Sequence, residues 1–531
     1  MAALTSGYLP ILSQGLDSPE HSLGNLTAFI WQWKALSEEG VPGKPSSTTL
    51  PLACNFLVDG ERWTALPLEW RSFVENVQEE AFEEVLTDMR RHLRISGSKE
   101  KLGIVVPPTL AQWLEDVHSN SICRRPTLNI TPLCLAKPLL HHMTPKKRHE
   151  VKMMGGIVAG LMEEMKVTTV VDVGSGLGYL SHALAFSSRA RVISVECEEL
   201  HYVKNGKRAA DLLKRTDSSL TSAEGEASCS SGENGASSSQ GEDSSLADRI
   251  CVIQHKLSLG EDFFRFLSDS VNTDIQNVGV IGLHTCGNLA TTMMDLFLQH
   301  EHISLLVDVG CCYSKDVCGA GHGETWQPRS KQAMIEMESM PGGSQVSLLS
   351  EGSLMAACHA NHTPGLKGLE LTFYRLLFQR LLSQFIADVA VLSEVRCGRV
   401  KSAVTFRQYC VKVAANLRPR QHGKQIDSPI YLEIQEDDCE TVYMDGTLRV
   451  CHSYLDGYFE KNSALRRRVM FYWTLRNCFG EAIESLLLID RAVNMREQGV
   501  NAHLAPIFAP SLSPRQIALI AWRERRLCKS A

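Results

Sequence analysis

The spacing of apolar residues along the chain changes period most sharply around a run of glycines. Residues 170–173 are valines around one acid, a pattern typical of a buried strand, and residues 180–184 continue with helical spacing. Gly174, Gly176 and Gly178 lie between the two patterns, where glycine allows a sharp turn and close approach to a ligand. The pattern predicts a strand, a tight turn and a helix whose N-terminal amides can bind a ligand.

Further strand patterns follow, separated by helical segments. They comprise residues 191–196, 249–254, 278–283, 304–310, 503–508 and 517–523, with a helix at 479–497 before the last two. Strands that alternate with helices favour a doubly wound α/β fold with a parallel sheet, whose ligands bind at the carboxyl ends of the strands. His284, Cys286, Cys311 and Cys312 follow the fourth and fifth strands, so we expect them to face one crevice.

Composition divides the rest of the chain into segments around this core. Residues 20–125 show helical spacing, whereas residues 218–248 hold almost nothing apolar, which predicts disorder. The predicted organisation is a mainly helical N-terminal domain at 1–130, a core at 140–314 with a disordered insertion at 218–248, a mainly helical insertion at 315–478, and a C-terminal helix and strands at 479–531 that complete the sheet.

The net charge of −6 gives no general attraction to a polyanion, so any nucleic-acid contact would be local. Residues 401–424 carry six basic and no acidic residues, and residues 466–468 are three arginines. For both stretches a solvated surface and an RNA contact stay open, and DNA is not predicted. Residues 146–148 are also basic, and they either form a solvated face or border the crevice.

Seventeen cysteines are scattered without a C-x-x-C pair, which is typical of reduced thiols in a cytoplasmic or nuclear protein. The chain shows no signal-peptide pattern and no run of 18 apolar residues, so we expect no membrane span. The oligomeric state stays open. The spacing of Cys311, Cys312, Cys318, His322 and the Cys358–His362 group fits no standard zinc template, so no metal is predicted.

The glycine spacing separates two classes of cofactor. Dinucleotide-binding folds use G-x-G-x-x-G, whereas this chain has G-x-G-x-G preceded by Asp172. This form resembles motif I of the class I S-adenosylmethionine (SAM)-dependent methyltransferases. Glu196 ends the second strand and can accept both ribose hydroxyls, a need that SAM and NAD share. The predicted cofactor is SAM, and the predicted cofactor-binding residues are Asp172, Gly174, Ser175, Gly176, Gly178 and Glu196.

Several motifs together resemble the methyltransferase-like 25 family. They are Met143 to Val151, Asp172 to Ser181, His284 to Gly287, Val309 to Tyr313, and Leu487 to Arg491 with Leu512 to Arg515. The resemblance implies a class I, Rossmann-like methyltransferase fold with a seven-stranded, mostly parallel sheet. The His-x-Cys-Gly and Cys-Cys motifs are also similar to those of tRNA 2′-O-methyltransferases, which implies an RNA acceptor.

Three functions stay open: an RNA methyltransferase, a protein or small-molecule methyltransferase, and a non-catalytic SAM-binding scaffold. His284 is the predicted general base, because imidazole titrates near neutral pH, and Cys286 is predicted to position the acceptor. An alternative mechanism, less favoured, has a thiolate of Cys286 or Cys312 attack a cytosine base. Adenine N6 methylation is not favoured, because residues 284–287 replace the Asn/Asp-Pro-Pro-aromatic motif of those enzymes.

Overall fold

A computed structural model describes the chain in separate stretches. The described residues are 19–36, 61–91, 105–126, 128–188, 190–220, 246–258, 263–271, 277–315, 326–342, 347–360, 365–386, 395, 400, 402–416, 430–436 and 441–523. Most of the predicted disordered insertion, at 221–245, lies outside them, and so do Cys318, His322 and His362. Residue 401 and residues 417–424 of the first basic stretch are also outside the described part.

Helices and strands alternate along most of the described chain. In chain order the elements are α1 (Pro19–Trp33), α2 (Glu61–Thr64), α3 (Leu68–Asn76), α4 (Glu79–Arg91), α5 (Pro108–Ser119), α6 (Pro145–Met165), β1 (Thr169–Val173), α7 (Tyr179–Ser187), β2 (Arg191–Glu196), α8 (Glu199–Leu220), β3 (Ile250–Gln254), α9 (Phe263–Val271), β4 (Val278–Cys286), α10 (Leu289–Gln299), β5 (Ile303–Cys312), α11 (Lys331–Glu338), α12 (Glu351–Cys358), α13 (Leu366–Phe385), α14 (Phe406–Asn416), β6 (Tyr431–Gln435), β7 (Val442–Met444), β8 (Thr447–Cys451), α15 (His452–Asn462), α16 (Leu465–Glu497), β9 (Asn501–Pro506) and β10 (Ile517–Trp522). Helix α8 therefore extends into the start of the segment predicted to be disordered.

A seven-stranded sheet forms the centre of the fold. Its order is β3-β2-β1-β4-β5-β10-β9; the first five strands of this order are parallel, and β10 is antiparallel to both of its neighbours. The sheet confirms the predicted α/β fold, including the two strands supplied by the C-terminal segment. Because the chain order reverses between β1 and β4, the carboxyl ends of these two strands border the crevice in which such sheets bind ligands.

The two faces of the sheet belong to different hydrophobic cores, because successive side chains of a strand point to opposite faces. Val170 of β1 packs in a core with Ile157 and Leu161 of α6. Its neighbour Val171 belongs to a larger core that continues into α16 and the N-terminal helices. The N-terminal helices and the sheet thus share one core, while the predicted domain limits themselves stay predictions.

The insertion predicted to be mainly helical also contains a three-stranded sheet, with the order β6-β8-β7. Strands β7 and β8 form an antiparallel hairpin around Asp445 and Gly446, which both have positive φ. An Asp-Gly pair favours this kind of two-residue turn, and its signal was missed in the sequence. The prediction of a mainly helical segment was therefore incomplete here.

Helix α16 begins at Leu465 and not at the predicted residue 479. Its first turn holds the basic triplet at 466–468, whose side chains pair with acidic residues of other helices, so the charges do not end the helix. Most of α16 is buried, which is expected for a helix with neighbours on all sides. The helix contacts α1, α12 and α13, so it joins the N-terminal helices to the insertion.

We expect Gly480→Ala to lower the free energy of unfolding by about 1–3 kcal/mol, although alanine favours helices. Gly480 lies in α16, where a Cβ atom would be 2.4 Å from the backbone oxygen of Ala356 in α12. Gly206→Ala in α8 is the matched control, because its Cβ would meet no atom within 4 Å. Urea unfolding measures both variants, and equal stability for the two would contradict the close packing.

Candidate active site

The glycine turn follows β1 and is held from below by β2. Gly174, Gly176 and Gly178 all have positive φ, a conformation that favours glycine. The amides of Gly174 and Ser175 donate to the backbone oxygen of Val195, at 2.9 and 3.1 Å. A Cβ atom on Gly176 would meet nothing within 4 Å, so this residue faces open space. The turn therefore leaves room for a ligand directly above Gly176.

Asp172 lies beneath the turn and is almost completely buried. Its Oδ2 accepts a 2.5 Å hydrogen bond from Ser181 Oγ, which also lies 2.9 Å from Ser194 Oγ. Asn205 Nδ2 donates to Ser194 and, at 3.2 Å, to Ser175 Oγ. These bonds tie β1, β2, α7 and α8 together, so Asp172 supports the turn, and the structure places it under the crevice.

Burial raises the pKa of Asp172 to about 7, although the hydrogen bond from Ser181 opposes this shift. In the unfolded chain this carboxyl has its ordinary pKa of 3.8. Between these values the folded protein keeps a proton that the unfolded chain releases. The free energy of unfolding should therefore fall as the pH rises from about 4 to about 7.

Asp172→Asn should remove this loss of stability. The stability of the variant relative to the unmodified protein should increase with pH, by up to about 1.4 kcal/mol per unit between pH 5 and 7. Urea unfolding at several pH values measures the difference. A difference that stays constant over this window would show that Asp172 is ionised in the folded protein.

Glu196 ends β2 beside the turn. Its Oε2 accepts from the amide of Gly176 at 2.7 Å, and its Oε1 accepts from the amide of Glu198 at 2.8 Å. Each carboxylate oxygen can accept a second hydrogen bond. The carboxylate is thus oriented by the backbone and keeps the capacity to accept ribose hydroxyls, and its cofactor role stays a prediction.

His284 lies near the carboxyl end of β4, the strand that pairs with β1 in the sheet. It has a positive φ of 70°, and its Nε2 lies 3.0 Å from Oε2 of Glu150. Glu150, in the first turns of α6, is completely buried. Burial alone would raise the pKa of this acid, but His284, Lys147 and Ser513 outweigh it and lower the pKa to about 2. An ionised Glu150 accepts the hydrogen bond from Nε2–H of His284. In the neutral form of the ring, Nδ1 then carries the lone pair that can accept a proton.

Two other groups complete the surroundings of Glu150. Ser513, in the loop between β9 and β10, donates to Glu150 Oε1 at 2.8 Å. The ammonium groups of Lys146 and Lys147 each lie 3.6 Å from a carboxylate oxygen of Glu150. Sequence reasoning found His284 but missed Glu150 and Ser513, because partners 134 and 363 residues apart leave no local signal. These ion pairs place both lysines beside the partner of His284, and the interpretation that they border the crevice stays a prediction.

Three cysteine thiols lie close together where the parallel strands β4 and β5 end. Residues after these two strands were expected to lie at one crevice. The sulfur of Cys286 lies 3.1 Å from Cys311 and 3.4 Å from Cys312. The hydrogen bond with Cys286 and burial raise the pKa of Cys311 far above its usual range, and burial raises that of Cys312. A protonated thiol is a poor nucleophile, so covalent attack on a base through Cys312 is disfavoured.

The two basic stretches differ in their surroundings. Arg466 pairs with Glu79 and Glu370, and Arg468 pairs with Glu75. The triplet 466–468 therefore forms an internal contact between α16 and neighbouring helices. In the described part of the first stretch, Arg407 pairs with Asp456 at the surface.

A cavity of about 780 Å³ lies at the opposite end of the strands from these groups. Thr168, Ser188 and Ala190, at or next to the amino ends of β1 and β2, form part of its wall. It contains none of the predicted site residues, and the ligand crevice of such sheets is at the carboxyl ends.

Among the helices that the structure describes, none is long and apolar enough to cross a membrane.

Known proteins with similar sequences are described as methyltransferases. Residues 146–316, about a third of the chain, match a family model described as "Methyltransferase domain". The chain is similar to "Probable methyltransferase-like protein 25" of Mus musculus, with 26% identity over 269 residues, 48% of this chain and 38% of that protein. The Homo sapiens protein of the same name is 23% identical over 261 residues, with the same coverage. The match thus spans less than half the length of these curated relatives.

A solved structure of coclaurine N-methyltransferase, bound to N-methylheliamine and SAH, aligns with 86% of this chain and 96% of its own. Its identity is 11% and its TM-score 0.21, so it carries no argument about function. The domain match and the seven-stranded sheet confirm the predicted class I, Rossmann-like methyltransferase fold, with SAM as the cofactor of this domain. The resemblance to methyltransferase-like 25 proteins is also confirmed.

Proposed function

We propose that this protein transfers the methyl group of SAM to an RNA acceptor in the crevice between β1 and β4. The observation that carries the proposal is the pair of His284 and Glu150, which stands near the carboxyl end of β4, the strand beside β1 and its glycine turn. A cofactor turn and a carboxylate-held imidazole on neighbouring strands are the two parts that methyl transfer to a weakly acidic hydroxyl or amine requires.

The residues around the crevice can hold the cofactor. The open space above Gly176 admits a ligand against the backbone, and Glu196 offers a carboxylate at the end of β2. When bound, SAM supplies an electrophilic methyl group and leaves as the neutral thioether. The open space at Gly176 and the carboxylate of Glu196 fit the nucleoside part of SAM, whose ribose hydroxyls need a hydrogen-bond acceptor.

His284 would take the proton of the acceptor as the bond from acceptor to methyl carbon forms and the bond from carbon to sulfur breaks. Nδ1 accepts this proton, while Glu150 holds Nε2–H and stabilises the charge that the ring gains. The proton then passes to water when the product leaves. Cys286, two residues after His284, lies at the exposed end of β4 and would help to position the acceptor.

The choice of RNA rests on the charge at the mouth of the crevice. Lys146 and Lys147 stand at the N-terminal turn of α6, and both contact the carboxylate that holds His284. A helix N-terminus with two ammonium groups favours an acceptor that carries phosphates close to the methylated atom. The basic stretch at 401–424 is proposed as a second RNA contact.

The test supplies the full chain with SAM labelled in its methyl group, and with RNA and protein fractions of a cell extract in separate reactions. We expect label in RNA that ribonuclease releases, and no label with Gly176→Val. Digestion to nucleosides then separates a methylated ribose from a methylated base. Label in protein alone would show that the acceptor is protein and not RNA. SAM binding without any methyl transfer would favour the non-catalytic, SAM-binding scaffold.

A further inference from the structure

We propose that Cys286, Cys311 and Cys312 form a binding site for a thiophilic divalent metal ion, zinc. The ligand atoms of these three residues all lie within 4.8 Å of one another. Spacing along the chain fits no standard zinc template, and the convergence arises from the fold, because β4 and β5 are adjacent parallel strands that end together. The proposal does not depend on methyl transfer.

The distances between the sulfurs suit a tetrahedral ion. With zinc–sulfur bonds of about 2.3 Å, two thiolates on one ion lie about 3.8 Å apart. The three sulfurs are already 3.1 to 3.4 Å from one another. They would have to separate by only about 0.4 to 0.7 Å to become ligands. This shift is within the reach of small side-chain rotations, so the cluster forms one triangular face of such a site.

The backbone near the thiols adopts an uncommon conformation that brings them together. The pairing of β4 with β5 shifts register between Leu283 and Thr285, and again before Cys286. His284, between these shifts, has positive φ, which is uncommon for a residue other than glycine. The amide of Gly287 then donates to the oxygen of Cys312 at 3.2 Å, which closes the ends of the two strands. An uncommon conformation that persists in a folded protein is typical of a functional site.

The exposure of the thiols shows where a fourth ligand would lie. Cys311 is buried, Cys312 is half-buried and Cys286 is exposed, so the cluster opens from β5 towards the solvent side of β4. The sulfur of Cys358 accepts from the amide of Ser314 at 3.4 Å and is not one of the three sulfurs that lie within 4.8 Å of one another. A site with three protein ligands and an open fourth position is characteristic of zinc that binds water or a substrate atom.

The surroundings can also compensate the negative charge of three thiolates around one zinc ion. The guanidinium of Arg491 lies over the ring of Tyr313, 5.5 Å from its centre, and next to the Cα of Gly310. These two residues flank Cys311 and Cys312 in the sequence. A disulfide, the main rival for these thiols, would use two sulfurs and leave the third without a role.

The first test measures zinc by mass spectrometry in the full chain, purified under reducing conditions without added metal or chelator. We expect about one equivalent, as for a site formed only in the folded protein. Cys286→Ser and Cys312→Ser should lose it, whereas Cys134→Ser, an exposed cysteine outside the cluster, should keep it. Zinc that persists in both cluster variants would place the ion elsewhere and overturn the proposal.

The second test needs no variant and therefore also covers a failure of the variants to fold. Cobalt(II) added to the chelator-treated, reduced protein should give the near-ultraviolet absorption of thiolate-to-cobalt charge transfer. Bound metal should also protect Cys286 and Cys312 from alkylation, which peptide mass spectrometry identifies. A metal-free protein without cobalt absorption, or one with a disulfide among these thiols in place of metal, would contradict a metal site.

Discussion

His284→Ala should lower the rate of methyl transfer by about 10²–10⁴-fold and leave the affinity for SAM unchanged. The imidazole is the group at the end of β4 that can accept the proton of the acceptor, and the buried Glu150 fixes its orientation. SAM itself is expected at Gly176 and Glu196, which the substitution does not touch. Single-turnover kinetics measure the rate, and calorimetry measures the affinity.

The control for this substitution is His118→Ala, an exposed histidine in the last turn of α5. It should retain full activity. Glu150→Gln tests the partner separately, because an amide can keep the hydrogen bond but cannot stabilise the charged ring. Activity of His284→Ala equal to that of the control would remove His284 from the mechanism and leave deprotonation to solvent.

Gly176→Val should raise the dissociation constant of SAM by at least ~100-fold, a loss of about 2.7 kcal/mol in binding free energy. The valine side chain would occupy the open space above the turn, and φ of 58° is unfavourable for a β-branched residue. A Cβ atom at this position meets no other atom within 4 Å, so we expect the fold to persist. Calorimetry measures the affinity, and circular dichroism measures the fold.

Gly206→Val provides the comparison for this second substitution. A Cβ atom on Gly206 in α8 would also meet nothing within 4 Å, and the turn is contacted by the neighbouring Asn205 rather than by Gly206, so SAM affinity should be unchanged. Glu196→Ala should weaken binding by a smaller factor, since it removes the acceptor for ribose but leaves the turn open. Unchanged affinity in Gly176→Val would refute the assignment of the cofactor to this turn.

Sequence reasoning succeeded where the information is local. The glycine turn, the strand that ends at Glu196 and the thiols after β4 and β5 each follow from a short pattern. It failed where side chains from distant segments meet. Glu150 is a charged residue in an amphipathic stretch, and nothing beside it indicates that it is buried under His284.

Two errors in the predicted elements have different physical causes. The start of α16 at Leu465 was missed because three successive arginines are typical of a solvated segment. In the structure, arginines of this triplet pair with Glu75, Glu79 and Glu370 of other helices. The small sheet in the insertion was missed although Asp445-Gly446 carried a local hairpin signal. The start of α16 could be predicted only with knowledge of its tertiary contacts, whereas the hairpin could have been predicted from the sequence alone.

Helix α16 also sets the order in which the chain can fold during synthesis. The hydroxyl of Tyr472 donates to the backbone oxygen of Leu36, 436 residues earlier, and the hydroxyl of Ser485 accepts from the amide of Ile122. Strand β5 likewise cannot pair with β10 until residues 517–522 have been made. The ribosome releases α1 and α5 long before their partner exists, and contacts of such sequence separation form slowly. The N-terminal helices must therefore remain without their main packing partner until almost the whole chain has been made, a period in which they depend on protection from aggregation.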